Sequence, residues 1–194
     1  ISTVLGEFAT THPDIGLRVT DATTDDVVGV VRRGEAELGV GPERTVGEDV
    51  TRTFLMDVPI RMVCPATHPL AGRRGVSWDE LRDERWVIYS SEFNRQLERI
   101  LQSHDASLSM QTAVEVGYLT TALAMVGVGS GLAAVPDYAR MFADNFKVRF
   151  VPLRGPEIRR QFYVYQRRGM ALSPAAEAFV VMMQRHAGRG SAKA

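Results

Sequence analysis

Small hydroxyl-bearing residues and glycines stand where the sequence predicts helices to begin, each shortly after a predicted strand. The first turn of a helix leaves backbone N–H groups without partners inside the helix and carries partial positive charge. In open α/β sheets, ligands bind where strands end and helices begin. Such helix starts suit a small carboxylate or another anion. The candidate ligand-binding residues are Thr23, Thr24, Ser90, Ser91, Phe93, Asn94, Gly117 and Tyr118, together with Gly41 and Pro42 at the end of a strand.

Each of these residues also has a purely structural interpretation. Thr24 and Ser91 could serve only as helix caps, because threonine and serine are favoured at that position. Phe93 could pack beneath its loop, and Tyr118 could be a surface or interface aromatic residue. Gly41–Pro42 could form an ordinary turn. The sequence leaves both interpretations open for every residue of the set.

The stretch Val114–Pro136 shows how the chain would position such helix starts. It predicts a strand, a turn at Gly117, an amphipathic helix over Tyr118–Val128 and a second strand at Leu132–Val135. Apolar residues recur at helical spacing within it, and the glycines that follow favour a helix end because glycine tolerates positive φ. The second strand is wholly apolar, which is typical of a parallel strand covered on both faces. The stretch therefore predicts one βαβ unit.

The rest of the chain predicts an alternation of helices and strands. Thr24 is predicted to cap the second helix, and Ser77 with Glu80 is predicted to cap a short third one. The order of elements at the start indicates a parallel sheet with right-handed crossovers, and such a sheet needs a strand ahead of the first helix. The remaining strands are predicted at Ile15–Val19, Leu38–Val40, Thr53–Met56, Ile60–Cys64, Trp86–Tyr89, Val148–Leu153 and Gln161–Gln166.

Two helices near the middle and the end of the chain complete the pattern. Leu97, Ile100 and Leu101 are predicted to form the buried stripe of the helix that follows Ser90. Ser173 is predicted to begin a final amphipathic helix. Residues 188–194 are small or basic, and we expect them to form a frayed tail.

The composition excludes several classes of function. The chain has 194 residues with 45% hydrophobic and 24% charged residues, which is ordinary for a globular protein, and its formal net charge is zero. A domain that binds DNA by itself usually carries a basic surplus, and the sequence shows no helix-turn-helix, zinc-finger or RRM pattern. We therefore do not expect direct nucleic-acid binding by this chain.

The number and spacing of the cysteine and histidine residues argue against disulfide bonds and metal sites. Cys64 is the single cysteine, so the chain cannot form an internal disulfide. Its apolar surroundings favour a buried small hydrophobic residue over a reactive sensor thiol. The four histidines lie far from other ligand-type residues, so no metal site and no cofactor are expected. No run approaches the length of a membrane span and no signal peptide is visible, so we expect a cytoplasmic protein that does not bind membranes.

Several segments occur in a recognisable order along the chain. They are Arg33–Val40 with Glu37, Val63–Ala71, Val76, Leu81, Trp86–Ile88, Glu115–Val116, Val126–Leu132, Val135–Pro136, Ser173–Ala175 and Phe179. In this order and spacing they resemble the effector-binding domain of LysR-type transcriptional regulators, and the resemblance covers nearly the whole chain. Single segments are weak signals, whereas the set is specific.

The resemblance implies an α/β fold of the periplasmic-binding-protein type 2-like kind, with two Rossmann-like subdomains joined by two crossover strands. Subdomain I would comprise residues 1–57 and 161–194, its first strand apparently missing, and subdomain II residues 58–160. A ligand cleft between them would bind the effector, with Thr24 and Phe93 where the family commonly contacts it. Some relatives carry an arginine that binds an acid just after the strand that ends here at Gly41. This chain has Pro42 at that point, so the resemblance does not support a carboxylate clamp there.

The resemblance further implies a function in transcription. A small organic, anionic effector would control DNA binding through an N-terminal winged helix-turn-helix that this chain does not contain. The family also implies homodimers or tetramers, with helices Ile1–His12 and Phe93–Ser103 as candidate contact surfaces. The alternative is a periplasmic solute-binding protein of a transporter, which uses the same architecture. The sequence shows no catalytic triad, no carboxylate pair at telling spacing and no glycine-rich fingerprint after a first strand, so an enzyme is not expected.

Overall fold

The computed structural model describes residues 1–191, and they form two compact units. The terminal unit comprises Ile1–Asp57 with the chain from Gln161 onward, and the central unit comprises Val58–Arg160. The helices are α1 (Ser2–Thr11), α2 (Val27–Arg32), α3 (Ser91–His104), α4 (Leu119–Gly127) and α5 (Pro174–Ser191). The strands are β1 (Gly39–Pro42), β2 (Val50–Pro65), β3 (Val76–Ser77), β4 (Arg85–Ile88), β5 (Gln111–Glu115), β6 (Ala133–Pro136), β7 (Val148–Arg154) and β8 (Arg159–Arg167). Two 3-10 turns lie at Asp79–Leu81 and Asp137–Phe142.

The terminal unit packs helices on both faces of a small sheet. Strand β1 pairs antiparallel with β8, and β8 is hydrogen-bonded to β2. Helices α1 and α5 cover one face, where Val4, Leu55 and Met183 are buried together, and α2 covers the other. The parallel arrangement predicted for this part is thus wrong for β1, because its hydrogen-bonded neighbour β8 runs in the opposite direction.

Two predictions for the start of the terminal unit are also wrong. Residues 15–19 form no strand, and Val19 is 63% exposed, because no neighbouring strand in the described chain supplies a hydrogen-bond ladder. Thr24 does not cap a helix: α2 begins at Val27, and its N-cap is Asp26, whose carboxylate accepts a hydrogen bond from Arg33. The two acidic residues after Thr24 are therefore engaged by arginines, and the helix starts two residues later than predicted.

The central unit contains the predicted βαβ stretch. Strand β4 pairs in parallel with β5, and a parallel bridge joins Trp86 to Leu132 just before β6. Strand β6 is buried at every position, as its apolar sequence predicts. Its other neighbour, β2, is antiparallel, and β2 also pairs antiparallel with β7. The sheet is therefore mixed rather than wholly parallel.

Three further boundaries differ from prediction. The two strands expected on either side of Pro59 are one continuous strand, β2, whose hydrogen bonding continues directly after the proline because the Ile60 N–H donates to the Ile158 carbonyl at 2.8 Å. Ile100 is 37% exposed, whereas Leu97 and Leu101 are buried. Helix α5 continues through Ser191, so the expected tail is helical up to that point, and its last three residues lie outside the described part.

The predicted cap at Ser77 is confirmed in part. The Glu80 carboxylate accepts hydrogen bonds from the Ser77 backbone N–H at 2.9 Å and from its hydroxyl at 3.2 Å. These contacts hold the predicted short helix, which is a single 3-10 turn ending at Leu81. Among residues 1–191, no helix combines the length and the apolar character that crossing a membrane requires.

Cys64 is fully buried in β2, as its apolar surroundings predict. Burial raises the pKa of its thiol to about 11, and the nearby Glu84 carboxylate adds to the rise. Because the thiolate is the reactive form, we expect no reaction of the folded protein with a thiol reagent such as DTNB at pH 8. One equivalent should react after unfolding in guanidinium chloride. Rapid labelling of the native protein would contradict this burial.

Candidate functional site

The first group of predicted site residues lies in the terminal unit, around a turn at Thr23–Asp26. Arg44 holds this turn: its Nε donates to the Thr24 carbonyl at 3.1 Å, and its Nη2 donates to the Asp25 carboxylate at 2.6 Å. Its Nη1 donates to the carbonyl of Glu43, which directly follows β1. Arg44, only 7% exposed, thus joins the Thr24 turn to the end of β1.

Gly41 and Pro42 form the last two positions of β1, beside this turn. The Pro42 carbonyl accepts a hydrogen bond from the Tyr165 hydroxyl at 2.5 Å. A methyl group at Gly41 would lie 3.3 Å from the side chain of Val27, so glycine here lets α2 pack closely on the strand. These contacts support a structural role for both residues, and they place them next to Thr24 through Arg44.

The second group lies in the central unit, at the start of α3. Ser90 is the N-cap, and its hydroxyl accepts a hydrogen bond from the Phe93 backbone N–H at 3.4 Å. The Asn94 side-chain amide donates to the Ser90 carbonyl at 2.9 Å. Ser90, Phe93 and Asn94 are buried, whereas Ser91 is half-buried. The capping role considered for Ser91 therefore belongs to Ser90.

A buried arginine lies against this helix start. Arg160 is 6% exposed, and its guanidinium carbon is 4.1 Å from the centroid of the Phe93 ring. Its Nη1 donates to the Tyr89 hydroxyl at 3.4 Å. Arg160 thus contacts both Tyr89, which directly precedes the cap residue, and Phe93, in the first turn of α3.

Gly117 and Tyr118 lie at the start of α4. Tyr118 is the N-cap residue in extended conformation, and it is 49% exposed. Helix α4 follows β5, just as α3 follows β4, and β4 and β5 are parallel neighbours. The carboxyl ends of neighbouring parallel strands meet at one edge of a sheet. Gly117 and Tyr118 therefore lie at the same edge as Ser90, Ser91, Phe93 and Asn94.

Buried polar side chains are concentrated in these two groups. Among the described residues, the buried polar or charged side chains are those of Arg44, Ser90, Asn94 and Arg160. A buried polar group is costly unless it is hydrogen-bonded, and each of these four side chains has a hydrogen-bond partner. Sequence analysis identified Ser90 and Asn94 but missed both arginines, since no local pattern distinguishes them from surface arginines.

A separate cavity of about 280 Å³ lies in the central unit and is not lined by any of the predicted residues. Its lining includes His68, Glu84 and Arg85, and His68 Nε2 is 3.6 Å from a Glu84 carboxylate oxygen. Arg85 begins β4, so this cavity is at the opposite end of that strand from Ser90. In residues 1–191, no three His, Cys, Asp or Glu side chains are placed to share a metal ion.

Comparison with known sequences identifies the family. The chain matches the family described as LysR substrate binding domain over residues 1–188. It is 30% identical over 180 residues to YbhD, an uncharacterised HTH-type transcriptional regulator of Escherichia coli K12, and the alignment covers 92% of this chain and 56% of that protein. The chain thus spans about half the length of the curated relatives it matches.

Solved structures show the same fold. The effector binding domain of QuiR in complex with shikimate superimposes with a TM-score of 0.81 at 18% identity, covering 97% of this chain and 90% of that one. The BenM effector binding domain with its effector benzoate gives a TM-score of 0.78 at 20% identity, covering 98% of this chain and 87% of that one.

Together, the element order and these superpositions define an α/β fold of the periplasmic-binding-protein type 2-like class, with two Rossmann-like subdomains and two crossover strands. The chain belongs to the LysR substrate binding domain family. The resemblance seen in the sequence and the predicted fold class are therefore confirmed. Because the relatives are transcriptional regulators, the alternative of a transporter's solute-binding protein is not favoured.

Proposed function

We propose that this chain is the effector-sensing domain of a cytoplasmic LysR-type transcriptional regulator and is not an enzyme. The observation that carries the proposal is the edge of the central unit where α3 and α4 begin, with a buried polar group at the start of α3. Effector binding there would favour one of two conformations that differ in the angle between the units. A DNA-binding domain outside this chain would respond to that change.

The proposed effector is a small organic anion bound by residues of both groups. In the terminal unit these are Thr23, Thr24, Gly41 and Pro42, and in the central unit Ser90, Ser91, Phe93, Asn94, Gly117 and Tyr118. The helix starts favour an anion because their backbone N–H groups and dipoles carry partial positive charge. Two structural relatives support this class, since the shikimate bound to QuiR and the benzoate bound to BenM are both carboxylates.

The proposal includes assembly into homodimers or tetramers. Helices α1 and α3 are the proposed contact surfaces. Helix α3 buries Phe93, Leu97 and Leu101 on its inner side and exposes Arg95, Arg99 and Ile100. Such a mixed surface is typical of a non-obligate protein interface.

A thermal-shift screen of organic acids, with shikimate and benzoate included, tests the proposed function. A compound that binds only the folded state raises the melting temperature in proportion to the logarithm of its concentration. We expect at least one carboxylate to do so at millimolar concentration. Stabilisation by neutral or cationic metabolites alone would contradict the anionic class.

Thr24 provides a residue-level test. Replacing Thr24 with valine should weaken binding of such an acid about threefold to tenfold, since it removes one hydroxyl hydrogen bond. The melting temperature of the free protein should change little, because Thr24 caps no helix and its carbonyl still accepts from Arg44. Calorimetric titration measures the affinity. Thr53→Val, an exposed substitution in β2, is the control and should change neither the affinity nor the melting temperature. Equal affinities for Thr24→Val and wild type would place the site elsewhere.

A further inference from the structure

The cavity of about 280 Å³ in the central unit is built where three segments meet. Pro65 ends β2, Arg85 begins β4, and the loop Gly129–Leu132 leads from α4 into β6. Hydrogen bonds fix these walls: the Leu132 N–H donates to the Arg85 carbonyl at 2.8 Å, and the His68 N–H donates to the Pro65 carbonyl at 3.0 Å. Walls held in this way lower the entropic cost of ordering a binding site.

Three polar side chains that line the cavity have unused hydrogen-bonding capacity. In the part of the chain that the structure describes, the Glu84 carboxylate, the Arg85 guanidinium and the Ser130 hydroxyl make no hydrogen bond to another residue. The Glu84 side chain is only 34% exposed, and Ser130 is half-buried. A ligand of matching polarity can replace the water that hydrates such groups.

His68 lines the cavity beside Glu84 but does not balance its charge. Its Nδ1 accepts a hydrogen bond from the Leu70 N–H at 3.2 Å, so the ring hydrogen is on Nε2 and the ring is uncharged. Nε2 lies 3.6 Å from a Glu84 carboxylate oxygen, which is beyond hydrogen-bond distance. The carboxylate is therefore available to a cationic group of a ligand.

The charges and the size of the cavity define the ligand class. Glu84 and Arg85 offer one negative and one positive group side by side, and Asp83 adds a second carboxylate that disfavours a simple anion. Pro65 and Leu132 supply apolar surface. At ~30 Å³ for each water in the liquid, the volume holds roughly nine non-hydrogen atoms, about the size of a leucine molecule.

We propose that this cavity is a second ligand site, which binds a free α-amino acid with a small apolar side chain. Glu84 accepts hydrogen bonds from the ammonium group, and Arg85 donates to the carboxylate. Pro65 and Leu132 contact the apolar side chain. None of the residues of the proposed effector site lines the cavity, so this site is independent of that proposal.

Calorimetric titration with L-leucine tests the site, and we expect binding at millimolar concentration or below. Glu84→Gln should weaken this binding about tenfold, because it removes a hydrogen bond between charged groups. Isocaproate, which is leucine without its ammonium group, should lose no affinity in that variant. Arg85→Gln should likewise weaken L-leucine about tenfold. It should leave isoamylamine, which is leucine without its carboxylate, unaffected.

Glu157→Gln and Arg74→Gln are the matched controls. Each removes the same charge as its counterpart from an exposed side chain of the central unit that does not line the cavity. Neither should change the affinity for L-leucine. Melting curves of the free proteins show whether each variant is folded, and Glu84→Gln and Arg85→Gln are independent changes, so one decides if the other does not fold.

Tryptophan emission of the wild type gives a second readout. The two tryptophans of the chain, Trp78 and Trp86, stack with ring centroids 5.9 Å apart. Trp86 directly follows Arg85 and forms a β-bridge with Leu132, and both of these residues line the cavity. L-leucine should therefore change the emission over the same concentration range in which calorimetry detects binding.

Failure of L-leucine to bind the wild type at millimolar concentration would overturn this site and leave effector sensing untouched. An unchanged affinity in a folded Glu84→Gln or Arg85→Gln variant would overturn it as well, and so would an equal loss in the two controls. Weaker L-leucine binding in the cavity variants, with unchanged binding in Glu157→Gln and Arg74→Gln, would establish it.

Discussion

Replacing Gly131 with alanine is expected to lower the free energy of unfolding by about 3 kcal/mol, as the sum of backbone strain and steric overlap. Gly131 has a φ of +149°, which L-residues with a side chain rarely adopt. A Cβ atom there would lie 2.6 Å from the backbone carbonyl oxygen of Arg85, which also accepts the Leu132 N–H at 2.8 Å. The clash therefore involves β4 and the segment that leads into β6, which cannot separate without losing that hydrogen bond. Urea denaturation measures the effect.

Gly129 is the matched control, two residues earlier in the same loop. It also has a positive φ, +85°, but a Cβ atom would meet nothing within 4 Å. Gly129→Ala should therefore cost only the conformational strain of a left-handed residue, about 1 kcal/mol. Equal destabilisation by the two substitutions would show that the close approach of Gly131 to Arg85 is not what requires glycine.

Replacing Leu97 with alanine should cost about 2–5 kcal/mol of unfolding free energy, because it leaves a cavity in the core of the central unit. Leu97 is fully buried in α3, where it packs in the same cluster as Phe93 and Leu101. The loss should appear in denaturant unfolding as a lower midpoint with an unchanged slope.

Ile100→Ala on the same helix supplies the comparison. Ile100 is 37% exposed, so we expect a loss below about 1 kcal/mol. The two substitutions lie on the same helix and remove a similar volume, but they differ in depth of burial. The difference between their losses of unfolding free energy therefore measures the contribution of core packing. Similar losses at both positions would mean that Ile100 is buried in solution, as it would be if α3 formed a contact between subunits.

The sequence predicts most elements of this fold because their signals are local. The βαβ stretch around α4 combines helical periodicity with glycines and an apolar strand, and the structure contains each of these elements. A serine cap for α3 is likewise a local pattern, but the sequence suggested Ser91, whereas the hydroxyl that accepts the Phe93 N–H is that of Ser90. The fold class follows from the order of such segments.

The errors occur where distant parts of the chain decide the outcome. Residues 15–19 have strand-like composition, but a strand also requires a neighbour to complete its hydrogen bonds. Thr24 is of a residue type that is favoured at helix caps, but the two acidic residues that follow it accept hydrogen bonds from Arg33 and Arg44. Pro59 resembles a strand end, yet β2 continues because its neighbours hold it on both sides of the proline.

Neither buried arginine could be identified from the sequence, and the reason is the same for both. Arg160 meets the Tyr89 hydroxyl across 71 positions of sequence, and Arg44 meets the Thr24 carbonyl across 20. Sequence periodicity reports which face of an element is apolar, not which distant side chain lies beside it. The helix starts of the candidate site could therefore be predicted, and the cations near them could not.

The hydrogen bond between the Ile60 N–H and the Ile158 carbonyl places the two ends of the central unit side by side. A segment whose ends are adjacent has the topology of an inserted module: it leaves the host chain and rejoins it at nearly one point. Exchanging this module for that of another chain would disturb only two neighbouring junctions. The antiparallel pairing of β1 with β8 in the terminal unit should therefore survive such an exchange.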